Sequence, residues 1–313
     1  MKDSVPQCEF VISDSNVLTG YRWHPNAPDK VHTVYLPDGI EEIGFKAMKD
    51  FECTRLVMPR SLKAIREKAF KYAEIEEIDF NGCNLMTIDL GAFSYCKAKT
   101  TLPDSVKSIG YEAAFYLKLE EENKLRLPSS LIHIGQRAVC LEDVSVLEID
   151  ERLATQDSDL GNLIKEDYAN TWLILNVRRN GRLVWRVPVT LGISERSLFC
   201  EKGFNYYAYQ NWYIDTTVRH KKIIIAAFLI MFDESMWFKV LRKYITSNFS
   251  FLMDGFEEDI EIIEFYNDAG LITTYRLKQL LENAIQKNNV EVAASILDLI
   301  NCKSGFTAKS LQL

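Results

Sequence analysis

The chain has 313 residues, of which 47% are hydrophobic and 26% are charged, a balance typical of folded proteins with a buried core. It carries 37 basic and 44 acidic residues, so its net charge of -7 excludes a chain-wide positive field that would favour nucleic acid or an anionic membrane. The longest apolar run, residues 223–232, is about half as long as a membrane-spanning helix and predicts a buried helix instead.

The N-terminal residues and the cysteines bear on location and on metal binding. Residues 1–8 lack a basic stretch followed by an apolar core, so no secretory signal is visible and the cytoplasm is the expected location. The cysteines are odd in number, scattered, and never spaced as Cys-x-x-Cys, which predicts buried thiols rather than disulfides or metal ligands. They are Cys8, Cys53, Cys83, Cys96, Cys140, Cys200 and Cys302.

A repeat with a period near 22 residues is the strongest pattern in the chain. A strand-like apolar-x-apolar segment ends in a proline slot at Pro37, Pro59, Asn81, Pro103 and Pro128. The first four slots are 22 residues apart, and the last step is 25, so three extra residues fall in the loop around 120–122. An isoleucine follows each slot, at Ile43, Ile65, Ile88, Ile109 and Ile134. An alanine comes four residues later, at Ala47, Ala69, Ala92, Ala113 and Ala138.

Each unit therefore predicts a short strand, a second inward isoleucine and a turn whose alanine permits close stacking. No unit can bury these apolar side chains alone, whereas stacked units enclose one continuous core.

These residues resemble the BspA-like leucine-rich repeat, whose pattern apolar-x-apolar-Pro-x-x-apolar-x-x-Ile-Gly-x-x-Ala-Phe is best matched at residues 102–110. The resemblance implies a leucine-rich-repeat solenoid over residues 31–154, with short parallel β-strands stacked in a right-handed sense, about five units and a partial one. It also implies N-terminal cap strands over residues 1–30. Four residues depart from the pattern: Arg66 and Asp89 replace the glycine, and Met48 and Val139 replace the phenylalanine. The resemblance therefore does not decide the conformation of these individual turns.

Beyond the repeats, residues 155–193 are predicted to form a polar connection and a β-hairpin, because apolar alternation flanks Asn180-Gly181. Residues 194–313 are predicted to form an all-α C-terminal domain ending in an ankyrin-like helix pair. The helical stripes are Trp237, Val240, Leu241, Tyr244 and Ile245; Leu277, Leu280, Leu281, Ala284 and Ile285; and Ala293, Ile296, Leu297 and Ile300. The same order of elements resembles bacterial proteins that have no assigned activity, so it implies architecture only.

Motifs of catalysis and cofactor binding are missing from the sequence. The four histidines are scattered, and there is no nucleophile elbow, phosphate loop or dinucleotide fingerprint. The acidic run 254–268 lacks the order of a calcium loop and predicts a solvated helix face. The aromatic cluster Tyr206, Tyr207, Tyr209, Trp212 and Tyr213 leaves core packing, a partner-facing patch and a cofactor box open. We predict no enzyme, no cofactor and no metal.

The function predicted is that of a non-catalytic module that presents the solenoid surface to a protein partner. If Val34 and Leu36 point inward, strand alternation turns their neighbours outward. The predicted partner surface is Tyr35, Arg55, Val57, Asp79, Lys99, Thr101, Arg126 and Glu148. An ordinary solvated face is the alternative for these residues. Alternative functions are a surface or adhesive protein, which would need a secretion signal ahead of this sequence, and an enzyme with a site in the C-terminal region.

Overall fold

The computed structural model describes residues 8–25, 31–80, 82–119, 121, 123–154, 159–160, 163, 172–190, 199–200, 203–204, 209, 213–214, 217–232 and 237–303. The chain divides into two compact units. One comprises Met1–Gly181 and Val189–Asn205, and the other comprises Arg182–Pro188 and Tyr206–Leu313.

The first unit begins with an antiparallel pair of strands, β1 (Cys8–Ile12) and β2 (Val17–Trp23). A tight turn with Asn16 at φ 60° joins them, and asparagine tolerates this left-handed conformation better than most residues. The strands cover the first repeat, because β2 pairs in parallel with the first isoleucine strand of the solenoid. The cap strands implied by the resemblance are therefore present within the described residues.

Each repeat contributes one or two short strands. In chain order they are β3 (Thr33–Tyr35), β4 (Glu42–Ile43), β5 (Glu52–Val57), β6 (Ala64–Ile65), β7 (Glu74–Asp79), β8 (Thr87–Ile88), β9 (Ser108–Ile109), β10 (Lys124–Arg126), β11 (His133–Ile134) and β12 (Val146–Asp150). One sheet has the order β1-β2-β4-β6-β8-β9-β11, and another has the order β3-β5-β7. The repeat isoleucines are direct partners in the first sheet, at Ile43, Ile65, Ile88, Ile109 and Ile134. The predicted solenoid is confirmed.

The core between the sheets is filled by the residues that the repeat pattern selects. The phenylalanines Phe70 and Phe93 are fully buried, and their parallel rings stack with centroids 4.9 Å apart. Met48 and Val139 occupy the same slot and are equally buried, so these departures keep the turn. Each fully buried apolar side chain contributes about 1.5–3 kcal/mol of gross transfer free energy.

The two departures at the glycine slot are also accommodated. Arg66 extends its guanidinium to Glu42, with Nη2 to Oε1 at 2.6 Å, and to Asp89, with Nη1 to Oδ2 at 3.4 Å. The turns therefore gain ion pairs between successive repeats where the glycine is missing.

Glycine is required where one turn lies directly on the backbone of the preceding turn. A Cβ at Gly135 would lie 2.6 Å from the Tyr111 nitrogen and 2.7 Å from the Gly110 carbonyl carbon, distances that force the backbone to move. We expect Gly135→Ala to lower the free energy of unfolding by about 1–3 kcal/mol, the usual cost of overpacking. Chemical denaturation followed by circular dichroism measures it. Gly20→Ala is the control, because nothing lies within 4 Å of its Cβ. Equal stability of the two variants would contradict the prediction.

The solenoid ends differently from the prediction. The hairpin is present, with β13 (Trp172–Arg179), a turn in which Asn180 and Gly181 both have positive φ, and β14 (Arg182–Thr190). However, β13 also pairs in parallel with β12, giving the sheet order β10-β12-β13-β14. Leu175 aligns with Leu147, so the strand predicted to follow the solenoid covers its last apolar residues. The part of the predicted connection that precedes the hairpin lies mostly outside the described residues, although Leu160 and Leu163 in it are buried.

A two-stranded pair, β15 (Phe199–Cys200) and β16 (Gly203–Phe204), completes the strands of the described residues. The second unit has the helices α1 (Arg219–Phe232), α2 (Trp237–Ser247), α3 (Phe249–Leu252), α4 (Ile260–Asp268), α5 (Thr274–Gln286) and α6 (Val290–Lys303). The predicted C-terminal helix pair is present, because α5 packs against α6.

The apolar run 223–232 forms a buried helix as predicted, since residues 223–230 of α1 are all buried. Within the described part of the chain, no helix is long and apolar enough to cross a membrane. Three residues predicted to face inward are instead exposed: Val240, Ile285 and Leu297. Each lies beside a narrower buried stripe, such as Leu277, Leu280 and Ala284 in α5, so the apolar pattern was wider than the packed face.

Candidate functional site

The predicted surface lies on the outward positions of β3, β5, β7, β10 and β12, together with residues 99–101 of the fourth repeat, which we call the strand face. Five predicted residues are exposed there: Tyr35, Arg55, Lys99, Thr101 and Arg126. Tyr35 is the aromatic residue among these five, and it is 70% exposed. Val57 and Asp79 are half-buried. Alternation therefore predicted the direction of most of these side chains correctly.

Glu148 is the exception, because it is only 3% exposed, although it lines the third of the depressions described below. Its carboxylate accepts from Arg178 on both oxygens, with Nη2 to Oε1 at 3.0 Å and Nε to Oε2 at 3.3 Å. Lys124 Nζ lies 3.0 Å from Oε1 as well. The prediction failed because β13 pairs with β12 and brings Arg178 over this outward position.

Burial alone would raise the pKa of Glu148, but the hydrogen bonds from Arg178 and Lys124 outweigh that effect and hold the pKa below its ordinary value. Glu148 is therefore a buried anion that joins three adjacent strands, and its role is structural.

Arg55 is already engaged within the chain. Its Nη2 lies 2.5 Å from Asp79 Oδ2, and its Nε lies 3.6 Å from Glu77 Oε1. The hydrogen bond to Asp79 is the largest cause that raises the pKa of the Arg55 guanidinium, and the negative charge of Glu77 raises it further. Such cross-repeat pairs resemble those of Arg66 with Glu42 and of Arg137 with Glu112.

The ladder of main-chain hydrogen bonds opens at the fourth repeat. The residue after each outward position normally donates its N–H to the next repeat: Leu36 to Val57 O at 3.0 Å, Met58 to Asp79 O at 2.9 Å, and Leu127 to Glu148 O at 2.9 Å. The equivalent N–H group of Phe80 has no such partner among the described residues.

Thr100 explains part of this opening. It occupies the slot where other repeats have Val34, Leu56 or Ile78, and its Oγ1 donates to the Ile78 carbonyl at 2.7 Å. The hydroxyl thus replaces a backbone donor from the fourth repeat. The three extra residues before β10 add to the effect, because Lys99 forms isolated bridges with Glu77 and Lys118 rather than a continuous strand.

Three depressions lie along these strands, with volumes of about 790, 740 and 480 Å³. The largest brings together five of the predicted residues, Arg55, Asp79, Lys99, Thr101 and Arg126. Tyr35 and Val57 do not line it. Lys99 lines all three depressions, so it is the centre of the candidate site.

Sequence reasoning missed two lysines of this site. Lys97 and Lys118 line the second depression with Lys99, and Lys118 also lines the third. Within the described part of the chain, none of the three amino groups has an ion pair, in contrast to Arg55. The signal was present at Lys97, since it precedes Lys99 by two residues and shares its strand direction, whereas Lys118 falls in an irregular insertion.

A second missed feature is a ladder of tyrosines on successive turns. The rings of Tyr72 and Tyr95 stack with centroids 5.0 Å apart, and those of Tyr95 and Tyr116 lie 4.6 Å apart. Tyr95 is 54% exposed and borders the second depression. A tyrosine two residues after Phe70 and after Phe93 could have revealed most of this ladder from the sequence.

The aromatic cluster of the second unit is described only at Tyr209 and Tyr213, and Tyr206, Tyr207 and Trp212 lie outside the described residues. Both described tyrosines are buried; the Tyr209 ring lies 4.7 Å from that of Phe228, and the Tyr213 ring 5.9 Å from that of Tyr244. Core packing is therefore the interpretation that holds for these two.

Burial explains the pKa shifts of two chemically reactive side chains. Burial raises the pKa of the Cys53 thiol to about 12 and lowers the pKa of Lys221 to about 8. Four cysteines are buried as predicted, Cys8, Cys53, Cys83 and Cys96, whereas Cys140 is half-buried and Cys302 is exposed. Cys302 is exposed because it lies in the last turn of α6. No group of three metal-ligating side chains occurs among the described residues.

Comparison with known proteins gives a family for the repeats. Residues 27–140 and 91–157 match the BspA type leucine rich repeat region, in six copies. The matched residues make up less than half of the chain. No curated protein matches the chain.

Among solved structures, a leucine-rich repeat protein from Bacteroides ovatus is similar at 16% identity and a TM-score of 0.34, over 48% of this chain and 49% of that one. A leucine rich cell surface protein from Faecalibacterium prausnitzii is similar at 22% identity and a TM-score of 0.26, over 48% and 54%. The chain spans about half the length of each. The strand register and the isoleucine column agree with the match of residues 27–157 to the BspA type leucine rich repeat region.

Proposed function

We propose that the chain is a non-catalytic binding module whose strand face contacts a protein partner. The observation that carries the proposal is the convergence of Arg55, Asp79, Lys99, Thr101 and Arg126 on one open depression. Tyr35 adds an exposed aromatic ring on the same face. Tyrosine and arginine are the residue types that most often dominate the binding energy of protein interfaces.

The charge of the chain supports a protein rather than a nucleic acid as partner. Acidic groups interrupt the strand face at Glu77, Asp79 and Asp104, and the net charge is -7. A phosphate backbone would need a continuous basic surface. The cytoplasmic location and the alternative surface or adhesive role stay predictions, and fractionation of the native cell distinguishes them.

The experiment starts with affinity capture from the native cell and identification of the captured protein by mass spectrometry. The purified partner is then titrated against the double variant Tyr35→Ala with Arg126→Glu. We expect affinity to fall at least tenfold, roughly 1.4 kcal/mol. The melting temperature should stay nearly unchanged, because Arg126 and Asp104 lie 3.5 Å apart with both side chains 60% exposed.

The matched control is Tyr275→Ala with Lys278→Glu, two exposed residues of α5. This pair also removes one tyrosine ring and reverses one positive charge. Unaltered affinity in the strand-face variant, or an equal loss in the control, would contradict the proposal.

A further inference from the structure

We infer that the opening of the strand face around Lys99 binds a short acidic segment of a protein partner. The inference rests on the proposed function and names the chemistry of the partner. Its first support is a pair of like charges. Lys99 and Lys118 are direct partners in a parallel bridge. Directly opposite side chains on neighbouring strands lie about 5 Å apart at Cβ, and like charges there are destabilising.

No described neighbour neutralises these amino groups. Glu77 is the bridge partner of Lys99 on the other side, but its carboxylate oxygen lies 3.6 Å from Arg55 Nε and forms no ion pair with Lys99. Lys97 lines the same depression as Lys99 and Lys118. Three ammonium groups that have no ion pair among the described residues therefore share one open surface, which favours a ligand that carries negative charge.

The open main-chain ladder is the second, independent support. The N–H of Phe80 donates to no backbone carbonyl within the part of the chain that the structure describes, whereas the N–H of Met58, one repeat earlier, donates to Asp79. Phe80 lines the largest depression with Lys99. The site thus offers side-chain and main-chain donors together, which suits a ligand rich in acceptor oxygens.

A short peptide fits this surface better than a long polyanion. Glu52, Glu74 and Glu76 border the lysines in the second depression, and Asp79 and Asp104 border Lys99 in the first. These carboxylates repel negative charge a short distance from the centre of the site. An extended peptide also supplies main-chain carbonyl groups for an open strand ladder, as peptides do when they add to sheets.

The test uses the full chain and a bead-displayed library of random heptapeptides. We expect enrichment of Asp and Glu at two or more positions. The enriched peptide, titrated by fluorescence anisotropy, should bind Lys99→Glu and Lys118→Glu at least tenfold more weakly. Lys107→Glu, an exposed lysine beside β9, makes the same change in net charge and should bind like the wild type.

Thermal melting separates loss of the site from loss of the fold. Lys118→Glu places a carboxylate opposite Lys99 and should raise the melting temperature, whereas Lys99→Glu places one opposite Glu77 and should lower it. Because the two variants change thermal stability in opposite directions, unfolding cannot explain a loss of peptide binding in both of them.

The inference would be overturned if the peptides selected from the library were not enriched in Asp and Glu. It would also be overturned if the selected peptide bound all three lysine variants with equal affinity. So would a sulfated hexasaccharide that binds tighter than the enriched peptide in a Lys99-dependent manner, since it would assign the site to a glycan. A captured partner that depends on Tyr35 and Arg126 but not on Lys99 would overturn this inference and leave the proposed function standing. A captured partner whose affinity depends on Lys99 but is unaltered by Tyr35→Ala with Arg126→Glu would contradict the contact residues of the proposed function and leave this inference standing.

Discussion

Replacing Phe93 with alanine is expected to lower the free energy of unfolding by about 3–5 kcal/mol, the range for large aromatic residues removed from packed cores. Phe93 is fully buried and its ring stacks on that of Phe70. The Phe80 ring is perpendicular to it, with the two ring centroids 6.4 Å apart. Each of these rings comes from the core of the solenoid, so the cavity would open between repeats. Urea denaturation followed by circular dichroism measures the loss.

Phe45→Ala is the matched control, because Phe45 is 58% exposed and its ring contacts the Lys46 amino group at 4.7 Å. We expect a loss below about 1 kcal/mol there, as for most surface substitutions. A Phe93→Ala variant as stable as this control would show that the aromatic stack is not part of the core.

Replacing Glu148 with glutamine is expected to cost about 3 kcal/mol at neutral pH, because the substitution removes the buried negative charge that Arg178 and Lys124 both contact. Arg178 is the group most affected, since its side chain is only 17% exposed, whereas Lys124 can turn to solvent. Denaturation of the variant and the wild type at pH 7 measures the difference. Glu142→Gln is the control, because this glutamate is exposed in a loop.

The same pair of proteins predicts a pH dependence. The pKa of Glu148 is lower in the folded chain than its ordinary value of 4.5. The stabilisation is therefore complete above pH 4.5 and is lost as the pH falls through the folded pKa. We expect the difference between wild type and Glu148→Gln to shrink in acid. A difference that stays constant from pH 7 into strong acid would contradict this assignment.

The sequence predicted the features that repeat and missed those that depend on neighbours. A periodic isoleucine such as Ile65 has a partner one repeat away, so its position follows from spacing alone. Alternation likewise predicted that Tyr35 and Arg126 point outward. It could not predict the burial of Glu148, because the strand that covers it comes from a segment whose sequence shows a hairpin but not its pairing.

The sequence predicted only part of the candidate site centred on Lys99, because the rest of it also depends on neighbouring segments. Thr100 resembles an ordinary polar variation of an apolar slot, and only the structure shows its hydroxyl replacing a main-chain donor. Lys118 lies in an insertion that has no counterpart in other repeats, so spacing could not place it opposite Lys99. Helix faces were overestimated at Ile285, because an apolar residue beside a buried stripe is also tolerated in water.

The isoleucine column also has a kinetic consequence. Every pairing in it joins residues about one repeat apart, from Ile43 with Ile65 to Ile109 with Ile134. Loops of that length close at little entropic cost, and proteins dominated by local contacts fold rapidly. Each newly made repeat can therefore be added to the one before it while later residues are still being synthesised.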